Sequence, residues 1–182
     1  AALCYVSFAF LKIPIPTFGG DMVALHIGNA FCVLAALLLG GGYGGLAGAL
    51  GMTIADLLDP AYITSAPKTF LLKLCIGLIT GFVAHRLGKI DESTDTGHIL
   101  RWSVLASAAG LLFNVIFDPL AGYFYKLWIL GKPAADLTLA WNVASTSINA
   151  VLSVVAATAV YLALRPALRR AGVTLRLAPH QA

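Results

Sequence analysis

The chain has 182 residues, of which 59% are hydrophobic and only 11% charged, with a formal net charge of +4 and a mean hydropathy of +0.88. A soluble domain carries about 25% charged residues, and a chain of this length cannot hide so much apolar surface in a core surrounded by water. The composition therefore excludes a water-soluble globular protein and defines an integral membrane protein.

The chain opens on "AALCYVSFAFLK", an apolar run too short to cross a bilayer at about 1.5 Å of rise per helical residue. With no initiating Met, it reads as the end of a first span whose start lies upstream. Apolar runs follow at residues 23–39, 43–58, 69–87, 99–117 and 137–164. A span needs about 20 apolar residues, with a range of roughly 17 to 25. The last three runs qualify outright; the first two sit near the lower limit and read as a tight pair around a "GGGYGG" loop. The expected fold is an all-α bundle of six transmembrane helices forming a single domain over residues 1–182, with no repeat of fixed period and no linker.

Charge distribution sets an expected orientation. Arg86, Lys89, Arg101, Arg165, Arg169, Arg170 and Arg176 fall on one side of the predicted spans, and Lys12, Lys68, Lys73, Lys126 and Lys132 on the other. The excess of basic residues marks the cytoplasmic side. That places the loop 86–101 and both termini in the cytoplasm of a prokaryotic cell, with 13–25, 59–67 and 118–136 facing outward. The basic tail "RPALRRAGVTLR" reads as a stop signal at an anionic inner leaflet, not as a nucleic-acid site.

Small residues spaced four apart let helix backbones approach closely in lipid. Gly44/Gly48, Ala47/Gly51 and Gly77/Gly81 are such pairs, and Ser145, Asn149, Ser153 and Ala157 form one polar-to-small stripe on the last span. Packing within the chain and docking against a partner both explain the glycine faces. Cys4, Cys32 and Cys75 lie in apolar runs without paired spacing, and His26, His85, His98 and His180 are scattered. These read as core residues and isolated imidazoles, with no metal or cofactor expected.

The stretch "GMTIADLLDPAYITSAPKTFLLK" places Asp56, Asp59, Lys68 and Lys73 around one Pro-containing turn. A charge at the bilayer centre costs about 2.5–3.5 kcal/mol on insertion scales, so such groups face a partner or a cavity. Asp56 with Lys68 or Lys73 could make a structural ion pair, or hold a polar or zwitterionic ligand between them. Asn29, Asn114, Trp141, Asn142, Ser145 and Asn149 fall at similar depth on other spans. Together they suggest an apolar pocket with a few convergent polar groups, where Tyr62 and Trp141 could stack on a flat ring. No P-loop, nucleophile elbow or zinc-protease motif is present in the sequence, and no enzymatic activity is expected.

The stretch "HIGNAFCVLAALLLGGGYGGLAGALGMTIADLLDPAYITSAPKTFLLKLCIGLITG", residues 26–81, resembles the substrate-binding S components of energy-coupling factor (ECF) vitamin transporters. The resemblance implies a six-helix membrane protein with an outward-facing vitamin pocket. It also implies dependence on an ECF transmembrane coupling protein and two ATPase subunits. Carried onto this chain, it points to Asn29, Asp56, Tyr62, Lys68, Asn114, Asn142 and Asn149 as pocket residues, and to "PIPTFGGDM" as a lid. One departure concerns the first span, where the family's Ala-xxx-Ala surface would contact the coupling protein; here Ala1 and Ala2 are followed four positions on by Tyr5 and Val6. Pyridoxine-like, pyrimidine, flavin, pantothenate and cobalamin-type ligands all stay open. Two other readings compete: an ion-coupled secondary transporter with Asp56 as its proton or sodium site, and an assembly protein whose polar groups only lock helices together.

Overall fold

The computed structural model describes residues 1–16, 22–129, 131 and 135–172. Helix α1 (Ala2–Phe10) leads into two strands, β1 (Lys12–Pro16) and β2 (Met22–His26). Five helices follow: α2 (Gly28–Leu39), α3 (Gly41–Leu58), α4 (Ala66–Gly81), α5 (Thr96–Phe124) and α6 (Ala135–Arg170). A short 3-10 turn, Ile63–Ser65, precedes α4, and π-helical turns extend α4 through Leu87 and α5 from Tyr125 to Ile129.

The hairpin amends the all-α expectation. β1 and β2 pair antiparallel with Lys12 opposite His26 and Pro16 opposite Met22. In "KIPIP" the prolines hold φ near −65° and donate no N–H, which rules out a helix interior but suits a two-stranded ribbon with an open edge. The apolar run 23–39 is thereby split, because residues 22–26 are strand and α2 has only 12 residues. The lid segment "PIPTFGGDM" contributes Pro14–Pro16 and Met22 to this ribbon, and residues 17–21 lie outside the described ones.

Six helices are present among the described residues. By length and apolarity, three helical segments can cross a bilayer: Ile63–Leu87, Thr96–Phe124 and Leu139–Arg170. The first two contain the runs 69–87 and 99–117 that qualified from sequence, and the third covers the run 137–164 from residue 139 on. The expected "GGGYGG" loop is not a loop: α2 stops at Gly40, whose φ of 84° is a left-handed turn open to glycine, and α3 starts at the next residue.

Packing follows the small residues. Gly44 and Gly48 lie against Ala36 and Cys32 of α2, so a Cβ at either would overlap those residues. On the opposite side of α3, a Cβ at Gly77 would overlap the backbone of Gly45, and one at Gly81 the backbone of Gly41. Gly51 meets Cys4 of α1, and Ala1 just before it, in the same way. The glycine faces are thus used within the chain, which decides between the two explanations the spacing left open. The stripe Ser145, Asn149, Ser153 and Ala157 on α6 is buried throughout.

At one end of the bundle the loop after α4 is fastened by side chains. Arg165 donates to the carbonyls of Ile90 and Ser93, and Arg169 to those of Asp91 and Ser93. His85 bridges the Asp91 carboxylate at 2.6 Å and the Ala36 carbonyl at 3.0 Å. Asp95 caps α5 by accepting from the amides of Gly97 and His98, and those bonds hold its carboxyl below the usual range.

Adding one methyl at a backbone-to-backbone contact forces the two helices apart, and overpacking of this kind typically costs about 1–3 kcal/mol. Gly77→Ala is expected to lower the melting temperature of the detergent-solubilised protein by several degrees. Gly42→Ala, where a Cβ would meet nothing within 4 Å, is expected to leave it unchanged or slightly raised; a scanning-fluorimetry comparison of the two checks this.

Candidate substrate-binding site

The charged turn builds the site. Pro60 stops α3, since the residue before a proline is pushed out of the helical region. The Asp59 carboxylate then accepts from the amide of Ala61 at 3.0 Å, and the Asp59 carbonyl from that of Tyr62 at 2.9 Å. Pro67 in the first turn of α4 restarts a helix with a preset φ. The tight reversal sets Tyr62 on the turn and Lys68 and Lys73 on α4 around one cavity of about 140 Å³.

Six elements wall that cavity. Phe8 comes from α1, Val23, Ala24 and His26 from β2, Asp56 from α3, Lys68, Thr69 and Lys73 from α4, Asp118 and Gly122 from α5, and Asn142, Ser145, Thr146 and Asn149 from α6. Tyr62 and Tyr125 complete the aromatic part of the lining. Phe8 packs edge-on against His26 at 4.7 Å between ring centroids and against Tyr62 at 6.3 Å.

The charges pair differently from the sequence expectation. Asp56 forms no ion pair with Lys68. Lys68 instead reaches across to Asp118 on α5. Lys73, 5% exposed, donates to Asn114 on the same helix as Asp118, at 3.2 Å. Asp59 pairs with Lys12 of β1 at 2.5 Å. Asp56 is 1% exposed, and its Oδ1 has no hydrogen-bond partner.

Of the eight residues read from sequence, Asp56, Tyr62, Lys68, Asn142 and Asn149 line the cavity. Asn29 and Asn114 are buried at 1% exposure but outside the lining, Asn114 acting through Lys73. Trp141 is 39% exposed and also outside it. Asn149 has a structural task as well: its Oδ1 accepts from the amide of His26 at 3.0 Å, and its Nδ2 donates to the carbonyl of Ala24 at 2.9 Å. One α6 side chain thus completes the open edge of β2 as a further strand would. Lys73, offered from sequence as a base that could help hold a ligand, lines the cavity as well; Asp118, Thr69 and Phe8 were not assigned to the site from sequence. Asp118 carried a usable signal, an acid directly before a proline at the end of an apolar run; Phe8 carried none.

The hairpin is also tied from its other strand. The ammonium of Lys12 lies 4.4 Å from the Tyr62 ring centroid and 5.3 Å from that of Phe8 while it pairs with Asp59. Its contacts join β1 to the turn after α3 and to the aromatic wall, a combination of ion pair and cation–π attraction. His26 is neutral by its hydrogen bonding. Its Nδ1 accepts from the amide of Gly28 at 3.1 Å, so the ring proton sits on Nε2.

Apolar helices, a fastened hairpin and a small polar and aromatic cavity at the charged turn define a membrane-embedded protein with a small-molecule site. A family model described as ECF-type riboflavin transporter, S component, matches residues 1–166, and the chain belongs to that family. Comparisons with curated proteins and with solved structures found no match.

The Lys12–Asp59 pair has a pH signature. The Lys12 ammonium beside Asp59 holds its carboxyl below the usual carboxylate range, so the pair is intact above about pH 4 and is lost as pH falls through the depressed value. Amide exchange over residues 22–26 is expected to be several-fold faster in Asp59→Asn than in the wild type at pH 7. The ratio of the two rates should shrink toward one as the pH drops below 4; hydrogen-exchange mass spectrometry at matched pH reads it.

Proposed function

We propose that this chain is the substrate-binding membrane subunit of an ECF-type importer. It captures a vitamin-like heterocycle, riboflavin being the ligand that the family's description names, in the cavity between the hairpin, the charged turn and α6. The observation that carries this reading is the family match over residues 1–166, together with a cavity that unites aromatic faces with buried polar groups. Asp56, Tyr62, Lys68, Lys73 and Asn142 are its ligand-facing side chains. Asn114 and Asn149 position their neighbours, and Asn29 is buried beyond the lining with its side-chain oxygen unpartnered.

Energy for uptake comes from elsewhere in this reading: an ECF transmembrane coupling protein and two ATPase subunits. The sequence has no nucleotide motif, and among the described residues the intramembrane charges cluster at one end, with no relay to the other. A sodium or proton site at Asp56 would also stand beside the Lys73 and Lys68 ammonium groups, which repel a cation. In the proposed orientation the cavity opens outward, and the loop held by Arg165 and Arg169 lies in the cytoplasm of a prokaryotic cell.

Two measurements test this. Proteoliposomes holding the chain alone are expected to bind labelled riboflavin without accumulating it, and to accumulate it once an ECF module and internal ATP are supplied. Accumulation by the chain alone, driven by an ion gradient, overturns the proposal. For orientation, single cysteines are introduced in a background with Cys4, Cys32 and Cys75 replaced by alanine. Ala61→Cys should react with an impermeant thiol reagent in intact cells and Thr94→Cys should not; the reverse pattern inverts the topology.

A further inference from the structure

A groove of about 450 Å³ lies at the end of the bundle away from the charged turn, where α2 turns into α3 beside the end of α4. Its floor is glycine, with Gly40, Gly41 and Gly42 at the corner and Gly81 across from them. The close approach of Gly41 to Gly81 leaves no side chains to fill the space above it, and a Cβ at Gly42 would meet nothing within 4 Å. Leu39, Tyr43, Leu46 and Phe82 form exposed apolar walls. Two basic side chains complete the lining. His85 is already engaged, by the Asp91 carboxylate and the Ala36 carbonyl. Arg86 is exposed, and no hydrogen bond or ion pair among the described residues includes its guanidinium.

We infer that this groove holds an acyl chain of an anionic phospholipid, whose phosphate is bound by Arg86. The site is separate from the substrate cavity and independent of the heterocycle bound there. An apolar trough offers water few hydrogen-bond partners, and a guanidinium at a lipid surface pairs bidentately with phosphate. Basic pockets between membrane helices take anionic headgroups for these two reasons together. The local charge balance points the same way. At this end Arg86, Lys89, Arg101, Arg165, Arg169 and Arg170 outnumber the acids Asp91, Glu92 and Asp95, and Asp91 is held by His85. A zwitterionic headgroup also carries a phosphate, but it brings its own cation against Arg86. A protein segment seated here would need an apolar face and an acid at one fixed spacing; a phospholipid carries that pairing in every molecule.

Native mass spectrometry of the full chain in mild detergent tests this with two probes of identical acyl chains, phosphatidylglycerol and phosphatidylcholine. The wild type should retain one phosphatidylglycerol about five- to tenfold more strongly than phosphatidylcholine. Arg86→Gln should abolish that preference, while Arg101→Gln, which changes an exposed arginine of α5 outside the groove, should keep it. Gly42→Phe places a ring in the open space and should weaken retention of both lipids. Unfolding temperatures of the lipid-free variants report whether each is folded, and Gly42→Leu replaces Gly42→Phe if the larger ring prevents folding. Equal retention of the two lipids by the wild type overturns the proposal, as does a phosphatidylglycerol preference kept in Arg86→Gln. Unchanged retention in a folded Gly42 variant overturns it too. So does a failure of both variants to assemble with an ECF module while lipid retention stays intact, which assigns the groove to a protein partner.

Discussion

The close approach of α3 to its two neighbours is the constraint on which the rest of the structure depends. Gly44 and Gly48 admit α2 on one side, while Gly41 and Gly45 meet Gly81 and Gly77 of α4 on the other. In lipid no hydrophobic force drives helices together, so dispersion at short range and hydrogen bonding must do so. The contacts with α4 set its register against α3, and that register puts Asp56 of α3 and Lys68, Thr69 and Lys73 of α4 on the wall of one cavity. The same glycines that hold the bundle therefore set the depth of the polar wall.

From that register the charges sort by what each can reach. Lys68 and Lys73 both turn toward α5, one to Asp118 and the other to Asn114, a residue one helical turn away. Asp59, just past the end of α3, is left for Lys12 on the hairpin. Each pair joins elements far apart in sequence, so the ion pairs hold the end of the bundle together where glycine packing no longer acts. Asn149 does the same for β2 without charge, by satisfying an amide and a carbonyl that a two-stranded ribbon leaves open. The cavity is bounded by these ties, and Asp56 and Lys73 are the buried charges left without a full complement inside it.

The opposite end is organised differently. There the arginines of α6 donate to backbone carbonyls of the loop following α4 and not to carboxylates. A guanidinium that bonds several carbonyls orders a loop while keeping its charge, which suits a basic rim at a lipid surface. At the cavity end the hairpin is tied instead by the Lys12–Asp59 pair and by Asn149.

Sequence alone determined the solvent of this protein, its three long spans and the residues that would pack. Those properties follow from composition and from four-residue spacing, which act locally along a helix. The charged turn was legible for the same reason: Pro60 and Pro67 punctuate it, and acids and bases in an apolar run must find partners. What the sequence could not decide was which partners. Asp56 and Lys68 are near neighbours in the chain, yet Lys68 takes Asp118, fifty residues on, because that choice depends on how helices rotate when their glycine faces meet. The split of the run 23–39 into strand and helix was hidden likewise, since β2 is apolar enough to read as helix until Asn149, 123 residues from His26, completes its edge. Tertiary structure decided the pairing because burial makes each unmatched charge or amide costly, and only the packed bundle shows which groups share a buried space.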